Sequence, residues 1–142
     1  SLMVGKNADF ATISEAIHKA SPGAQILVDP GIYNESLFIN KSLSLRCINF
    51  NESNAIHFRD GKNTRKWVEI RSHTFGIHCH PYATENRIHI FGFKIISEGS
   101  SKKHYNAAYI TSGAVTLRNC ILSSSSGPVV AAQYPGTNVT MQ

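Results

Sequence analysis

Residues 114–122 read Ala-Val-Thr-Leu-Arg-Asn-Cys-Ile-Leu. On a strand, Val115 and Leu117 face one side and Thr116 the other. The same apolar–x–apolar pair recurs at Leu43/Leu45, Val68/Ile70, Ile88/Ile90 and Val139/Met141. Successive first members are 25, 20, 27 and 24 residues apart, a mean of 24. Several units continue into a further apolar pair: Cys47 with Ile48, Phe93 with Ile95, Cys120 with Ile121. A second series runs out of phase with the first, through Ala55-Ile56-His57-Phe58, Gly76-Ile77-His78-Cys79, Ala107-Ala108-Tyr109-Ile110 and Pro128-Val129-Val130-Ala131. Short strands at a long, regular period are the mark of a solenoid, in which no repeat buries its apolar face alone and stacking makes the core. A β-sandwich also has regular short strands. It lacks this long period, and it does not explain the different start of the chain.

That start is helical. Thr12-Ile13-Ser14-Glu15 has the form of a capping box, with Thr12 as N-cap and Glu15 reaching back to it. Ile13, Ala16, Ile17 and Ala20 recur at helical spacing, and Ser21-Pro22-Gly23 stops the run. A helix over 12–20 is too short to stand alone, so it must cover something, and the raw first edge of a solenoid needs covering. The expected architecture is therefore all-β: a right-handed parallel β-helix of about five rungs over residues 24–142, with helix 12–20 as its N-terminal cap. Residues 1–142 form one domain on this reading. Asn138–Gln142 starts a new repeat and stops inside it, so the chain is expected to be truncated at its C-terminal end, with further rungs or domains beyond.

The segment Asp9-Phe10-x-Thr12-Ile13-x-Glu15-Ala16-Ile17, followed by Pro22-Gly23-x-x-Ile26-x-Val28-x-x-Gly31-x-Tyr33-x-Glu35, resembles the N-terminal cap and first rung of pectin lyase-like β-helix proteins. Pectin methylesterases share it, as do the non-catalytic β-helix domains of F-box proteins and of the SHC-binding, spindle-associated family. Residues 114–122 resemble a rung of the second group. The resemblance implies the fold and leaves two functions open: partner recognition by a non-catalytic module, or a fragment of a carbohydrate-active enzyme. Its Gly-x-Tyr-x-Glu element is a structural device. Gly31 is expected to supply backbone freedom to the Pro30-Gly31 turn, Tyr33 to place a ring where the first rung meets the next, and Glu35 to accept hydrogen bonds from the following turn.

Composition suits this architecture. Only 16% of residues are charged, while Ser, Asn and Thr number 16, 11 and 8, and Ile alone 15. Such a chain favours strands and turns and has enough apolar residues to fold. No apolar run approaches the roughly 20 residues of a spanning helix, so no membrane is expected. The net charge is +5, and the densest basic segment, Arg59 to Arg71, holds a single aromatic, Trp67. A nucleic-acid surface would interleave several, so nucleic acid is not the expected partner. Cys47, Cys79 and Cys120 are odd in number and irregularly spaced, which is not a disulfide framework. They favour a reducing, intracellular setting, cytoplasmic or nuclear. Four sequons, at Asn34, Asn40, Asn51 and Asn138, leave secretion open.

Enzymes of the resembling class are expected to work with carboxylates projecting side by side from adjacent rungs. Asp9, Asp29 and Asp60 all fall off the predicted strands. Of Glu15, Glu35, Glu52, Glu69, Glu85 and Glu98, only Glu69 is central to a strand, without an acidic neighbour one period away. No pair for acid–base work is found, and no catalytic residue or cofactor is assigned. His78-Cys79-His80 looks like a metal trio, but on a strand Cys79 points away from the two histidines, so no metal site is assigned. In the second series His57 and His78 fall 21 residues apart. With Ile56 and Ile77 inward, His57, His78 and His80 would share an outer surface able to read a partner. A protein or peptide is the expected one. Carbohydrate is the alternative, through exposed Trp67, Tyr82, Tyr105 and Tyr134.

Overall fold

The computed structural model describes residues 1–48, 58–59, 62–63, 67–80, 87–99, 105–125, 127–132 and 138–142. The chain is mostly parallel strands in three stacked sheets, with one short helix, compatible with a β-helix-like solenoid. The helix α1 spans Ile13–Lys19. The strands, in chain order, are β1 (Leu2–Val4), β2 (Ala24–Val28), β3 (Gly31–Tyr33), β4 (Leu37–Ile39), β5 (Leu43–Cys47), β6 (Phe58–Arg59), β7 (Lys62–Asn63), β8 (Val68–Ser72), β9 (Ile77–Cys79), β10 (Arg87–Phe91), β11 (Phe93–Ser97), β12 (Ala108–Ile110), β13 (Ala114–Arg118), β14 (Ile121–Ser124), β15 (Val130–Ala132) and β16 (Asn138–Met141).

The first sheet has the order β1-β2-β5-β10-β13-β16, the second β3-β8-β11-β14 and the third β4-β9-β12-β15. All neighbours in these three sheets are parallel. β6 and β7 form a separate antiparallel pair. The chain visits the sheets in turn, so β2-β3-β4, β5-β8-β9, β10-β11-β12 and β13-β14-β15 are successive circuits.

This register corrects the periodicity. Leu43, Ile88, Val115 and Val139 are true partners along the first sheet. Val68 and Ile70 are not members of that series: they lie in the second sheet, paired with Phe93 and Ile95. Leu43 and Ile88, 45 residues apart in sequence, are therefore adjacent, and the even spacing of about 24 joined strands of two different sheets. The inward pair looks alike on every sheet, because each strand alternates one buried side chain with one outward.

The core lies between the sheets. Ile26, Leu45, Ile90 and Leu117 stack in register, each at most 1% exposed. Ile70 and Ile95 do the same in the second sheet, and Leu37 and Ile77 in the third. Buried Ser97 keeps its hydroxyl satisfied by donating to the Thr74 carbonyl at 2.7 Å. Two corners between the first and second sheets, β10–β11 and β13–β14, turn through a left-handed residue. Gly92 (φ 81°) and Asn119 (φ 52°) fill them at equivalent positions, directly after the partners Phe91 and Arg118. Asparagine is among the few side-chain-bearing residues that accept this conformation.

β1, α1 and β2 make a crossover between two parallel strands. Ile13, Ala16 and Ile17 are buried, and the helix packs on β1, β2 and β4. β1 left no signal in the sequence, being three residues without an alternating neighbour. Among the described residues, no helix is long and apolar enough to cross a membrane.

Candidate binding surfaces

The three sheets differ in what their strands turn outward. On the third sheet, register aligns Phe38 with His78 and His78 with Tyr109. Their rings form a continuous row: Phe38 meets His78 edge-on at 5.2 Å and His78 meets Tyr109 at 5.0 Å. Phe75, just before β9, stacks on Tyr109 at 4.7 Å, lies 5.9 Å from His78, and takes Tyr105 edge-on at 5.0 Å. Phe38 remains 49% exposed at the edge of the row. It also borders a groove of about 440 Å³ that runs between α1 and β4, lined by Ser14, Ile17, His18, Ser36, Asn40 and Lys41.

His78 and His80 point outward and Cys79 inward, as alternation requires. Cys79 is fully buried, and burial pushes its thiol up to about 12, so it stays protonated and inert. The His78 and His80 rings are 6.3 Å apart. His80 Nδ1 hydrogen-bonds Thr111 Oγ1, and Thr111 donates to the Cys79 carbonyl at 3.2 Å. His78 is different: its Nε2 is buried with no hydrogen-bond partner among the described residues. Burial, and then the neighbouring His80, hold the His78 imidazole below its usual pKa. His57 lies outside the described residues. The two register positions beside His78 belong to Phe38 and Tyr109.

Phe38, Tyr109 and Phe75 were not singled out in the sequence. A signal existed, since Leu37-Phe38-Ile39 has the same apolar–x–apolar form as Ile77-His78-Cys79. Of the aromatics considered for sugar stacking, Tyr105 packs on Phe75, whereas Trp67 precedes β8 and lines a separate groove with Pro30, Ile32 and Glu69. Tyr82 and Tyr134 lie outside the described residues.

The residues of the opening motif hold the helix in place. Thr12 is the N-cap, and its Oγ1 accepts from the Glu15 amide at 3.2 Å. The capping box is only half made, because Glu15 Oε1 takes the Thr12 hydroxyl at 3.1 Å. Glu35 completes the capping from 22 residues away: its carboxylate accepts from Ile13 N (3.0 Å), Ser14 N (2.9 Å) and Ser14 Oγ (2.7 Å). The expectation that Glu35 serves the following turn is thus replaced by a link between the first circuit and the helix. At the other end, Lys41 Nζ donates to the Ala20 carbonyl at 2.7 Å. Tyr33 donates to the Asp29 carbonyl at 2.8 Å, and burial, then Asp29 and Glu35, push its phenol up to about 12. Gly23 does adopt a left-handed conformation, at φ 86°. Gly31 does not, and a Cβ there would meet only the Tyr33 ring at 3.7 Å, so its turn makes no demand for glycine.

The outward charges of the second sheet neutralise one another. Glu69 faces Ile32 and Lys94 in register, and its carboxylate contacts Arg71 at 2.7 Å and Lys94 at 3.5 Å. These cations hold the Glu69 carboxyl below its usual range, the Arg71 hydrogen bond contributing most. A cleft of about 220 Å³ brings Glu35, Glu98, Arg71 and His73 together. Glu35 is committed to the helix and Glu98 contacts Arg71 at 3.4 Å, so neither is poised as an acid–base group. Among the described residues, no group of three His, Cys, Asp or Glu could hold a metal ion.

Comparison of the chain with family models finds none that matches, and comparisons with curated proteins and with solved structures return no match. The resemblance at residues 9–35 and 114–122 stands on its motifs alone.

Proposed function

We propose that this chain is a non-catalytic binding module: a right-handed β-helix of about five rungs, capped by α1, that reads a protein or peptide through the outward face of its third sheet. One observation carries the reading, the ring row Phe38–His78–Tyr109 flanked by Phe75. Aromatic side chains bring large contact area at little conformational cost, and they dominate interface energetics. The motif resemblance to the β-helix domains of F-box and SHC-binding proteins supports partner recognition within a larger intracellular scaffold or ubiquitin-ligase-type protein. Cys47, Cys79 and Cys120 form no disulfide, which agrees with a reducing compartment.

The test is selection of peptides from a displayed library on the wild-type chain, followed by affinity measurement with Phe38→Ala, His78→Ala and Tyr109→Ala. Each substitution is expected to weaken the selected peptide by about tenfold or more. Recovery of no peptide, or affinities indifferent to all three changes, would sink the reading. Turnover of polygalacturonate would overturn it in favour of the carbohydrate-active alternative.

A further inference from the structure

The groove of about 440 Å³ between α1 and β4 has a lining that selects for one kind of backbone. β4 turns Phe38 outward, and by alternation Ser36 and Asn40 flank it on the same side. α1 contributes Ser14, Ile17 and His18. The two serine hydroxyls are engaged: Ser14 Oγ donates to Glu35 at 2.7 Å and Ser36 Oγ to the Phe75 carbonyl at 2.6 Å. Lys41, after Asn40, uses one of its three N–H donors on the Ala20 carbonyl. Among the described residues, neither the Asn40 amide nor the His18 imidazole has a hydrogen-bond partner. None of the lining residues carries a carboxylate. The groove thus offers donors from His18, Asn40 and Lys41 around an exposed ring. Through the edge-on contact of Phe38 with His78 it continues into the ring row of the third sheet.

We infer that this groove binds a proline-rich segment in the polyproline II conformation, an inference that rests on the third-sheet face being a binding surface and names what it reads. A peptide laid here has little ladder to join: β4 is three residues long, it ends its sheet, and α1 packs against it. The peptide must therefore satisfy its backbone groups in another way. Polyproline II suits this, because it needs no ladder, proline has no N–H to leave unpaired, and only the carbonyls call for donors. His18, Asn40 and Lys41 supply those donors. Phe38, 49% exposed, supplies the aromatic surface on which proline rings dock. Length agrees as well. Ser36 and Asn40 are four positions apart on extended chain, about 13 Å. Polyproline II rises about 3.1 Å per residue and covers that span in roughly four residues, one Pro-x-x-Pro unit. An acidic peptide fits less well, because the one lysine of the lining already contacts the C-terminal end of α1.

Fluorescence anisotropy with a labelled Pro-Pro-Ser repeat peptide tests this, alongside Ala-Ala-Ser and Glu-Glu-Ser repeats of the same length. The proline peptide is expected to bind and to lose roughly tenfold in affinity with Phe38→Ala. His18→Ala and Asn40→Ala should each cost about threefold, the loss of one carbonyl contact. Ile32→Ala, which removes an exposed apolar side chain from the second sheet, is the control and should bind as wild type. No binding of the proline peptide overturns the proposal. So do equal binding of the Ala-Ala-Ser repeat, tighter binding of the Glu-Glu-Ser repeat, affinity indifferent to Phe38→Ala and His18→Ala, or a loss with Ile32→Ala as large as with Phe38→Ala. The binding-module reading has a separate readout. Library-selected peptides that depend on Phe38, His78 and Tyr109 but carry no proline would leave that reading standing and overturn the proline-rich partner. Circular dichroism of each variant ensures that a lost signal reports the groove and not unfolding.

Discussion

His78 combines an aromatic setting with a buried nitrogen that has no hydrogen-bond partner among the described residues. Phe38, Phe75 and Tyr109 surround it with rings, and His80 is the neighbouring group that can add a charge. Protonation would place a cation in that partly desolvated site, so the folded chain resists it. The unfolded chain protonates near the ordinary value of about 6.5. Below that pH the unfolded state binds more protons than the folded one. His78 therefore leaves stability at its full value above about 6.5 and lowers it as pH falls toward the depressed folded pKa. His78→Phe should remove part of this acid sensitivity and cost little at neutral pH, since it also deletes that buried nitrogen. Urea midpoints at about pH 7.5 and about pH 5 check it. An unchanged difference between the two pH values in His78→Phe would show that the imidazole does not carry the effect.

At the scale of elements, α1 is held by groups it does not contain. A seven-residue helix has little stability of its own. Its first turn leaves amide groups unpaired, and Glu35, from the loop between β3 and β4, takes those of Ile13 and Ser14. Glu35→Ala should cost about 1–3 kcal/mol, because it strips charge-assisted bonds from two amides at once. Thr12→Ala should cost about 1 kcal/mol, an ordinary N-cap loss. Chemical denaturation measures both. If Glu35→Ala proved no worse than Thr12→Ala, the carboxylate would contribute less than its three short contacts imply. The helix itself was legible from the Thr12–Glu15 spacing and the Ile13, Ala16, Ile17 stripe. The role of Glu35 was not, because the two partners lie 22 residues apart and nothing local links them.

Over the whole molecule, stability comes from side chains stacked along the sheets. Ile90 is 1% exposed between Leu45 and Leu117, in the middle of the longest sheet. Ile90→Ala should cost about 2–5 kcal/mol, since the neighbouring strands cannot both close on the void. A thermal or urea melt gives the value, and a loss under about 1 kcal/mol would mean that the stack relaxes freely around the site. The three faces differ in their outward residues: arginines about a phenylalanine ring on the first sheet, a glutamate between cations on the second, a row of rings on the third. No strand holds such a face alone. Each face exists only because residues from separate circuits fall into one register row.

That distinction separates what the chain states locally from what folding adds. The sequence by itself determined the strand-rich class, the inward residues of most strands, the helix and its limits, and the opposite directions of His78 and Cys79. All of these follow from periods of two and 3.6 residues, which are written over a few adjacent positions. Only the tertiary structure decided which strands are neighbours. It moved Val68 and Ile70 to the second sheet, brought Leu43 beside Ile88 across 45 residues, and set Phe38 and Tyr109 on either side of His78. An alternating pattern tells a strand which face to bury but not which strand to lie beside, because lateral pairing runs through backbone hydrogen bonds that every sequence can make.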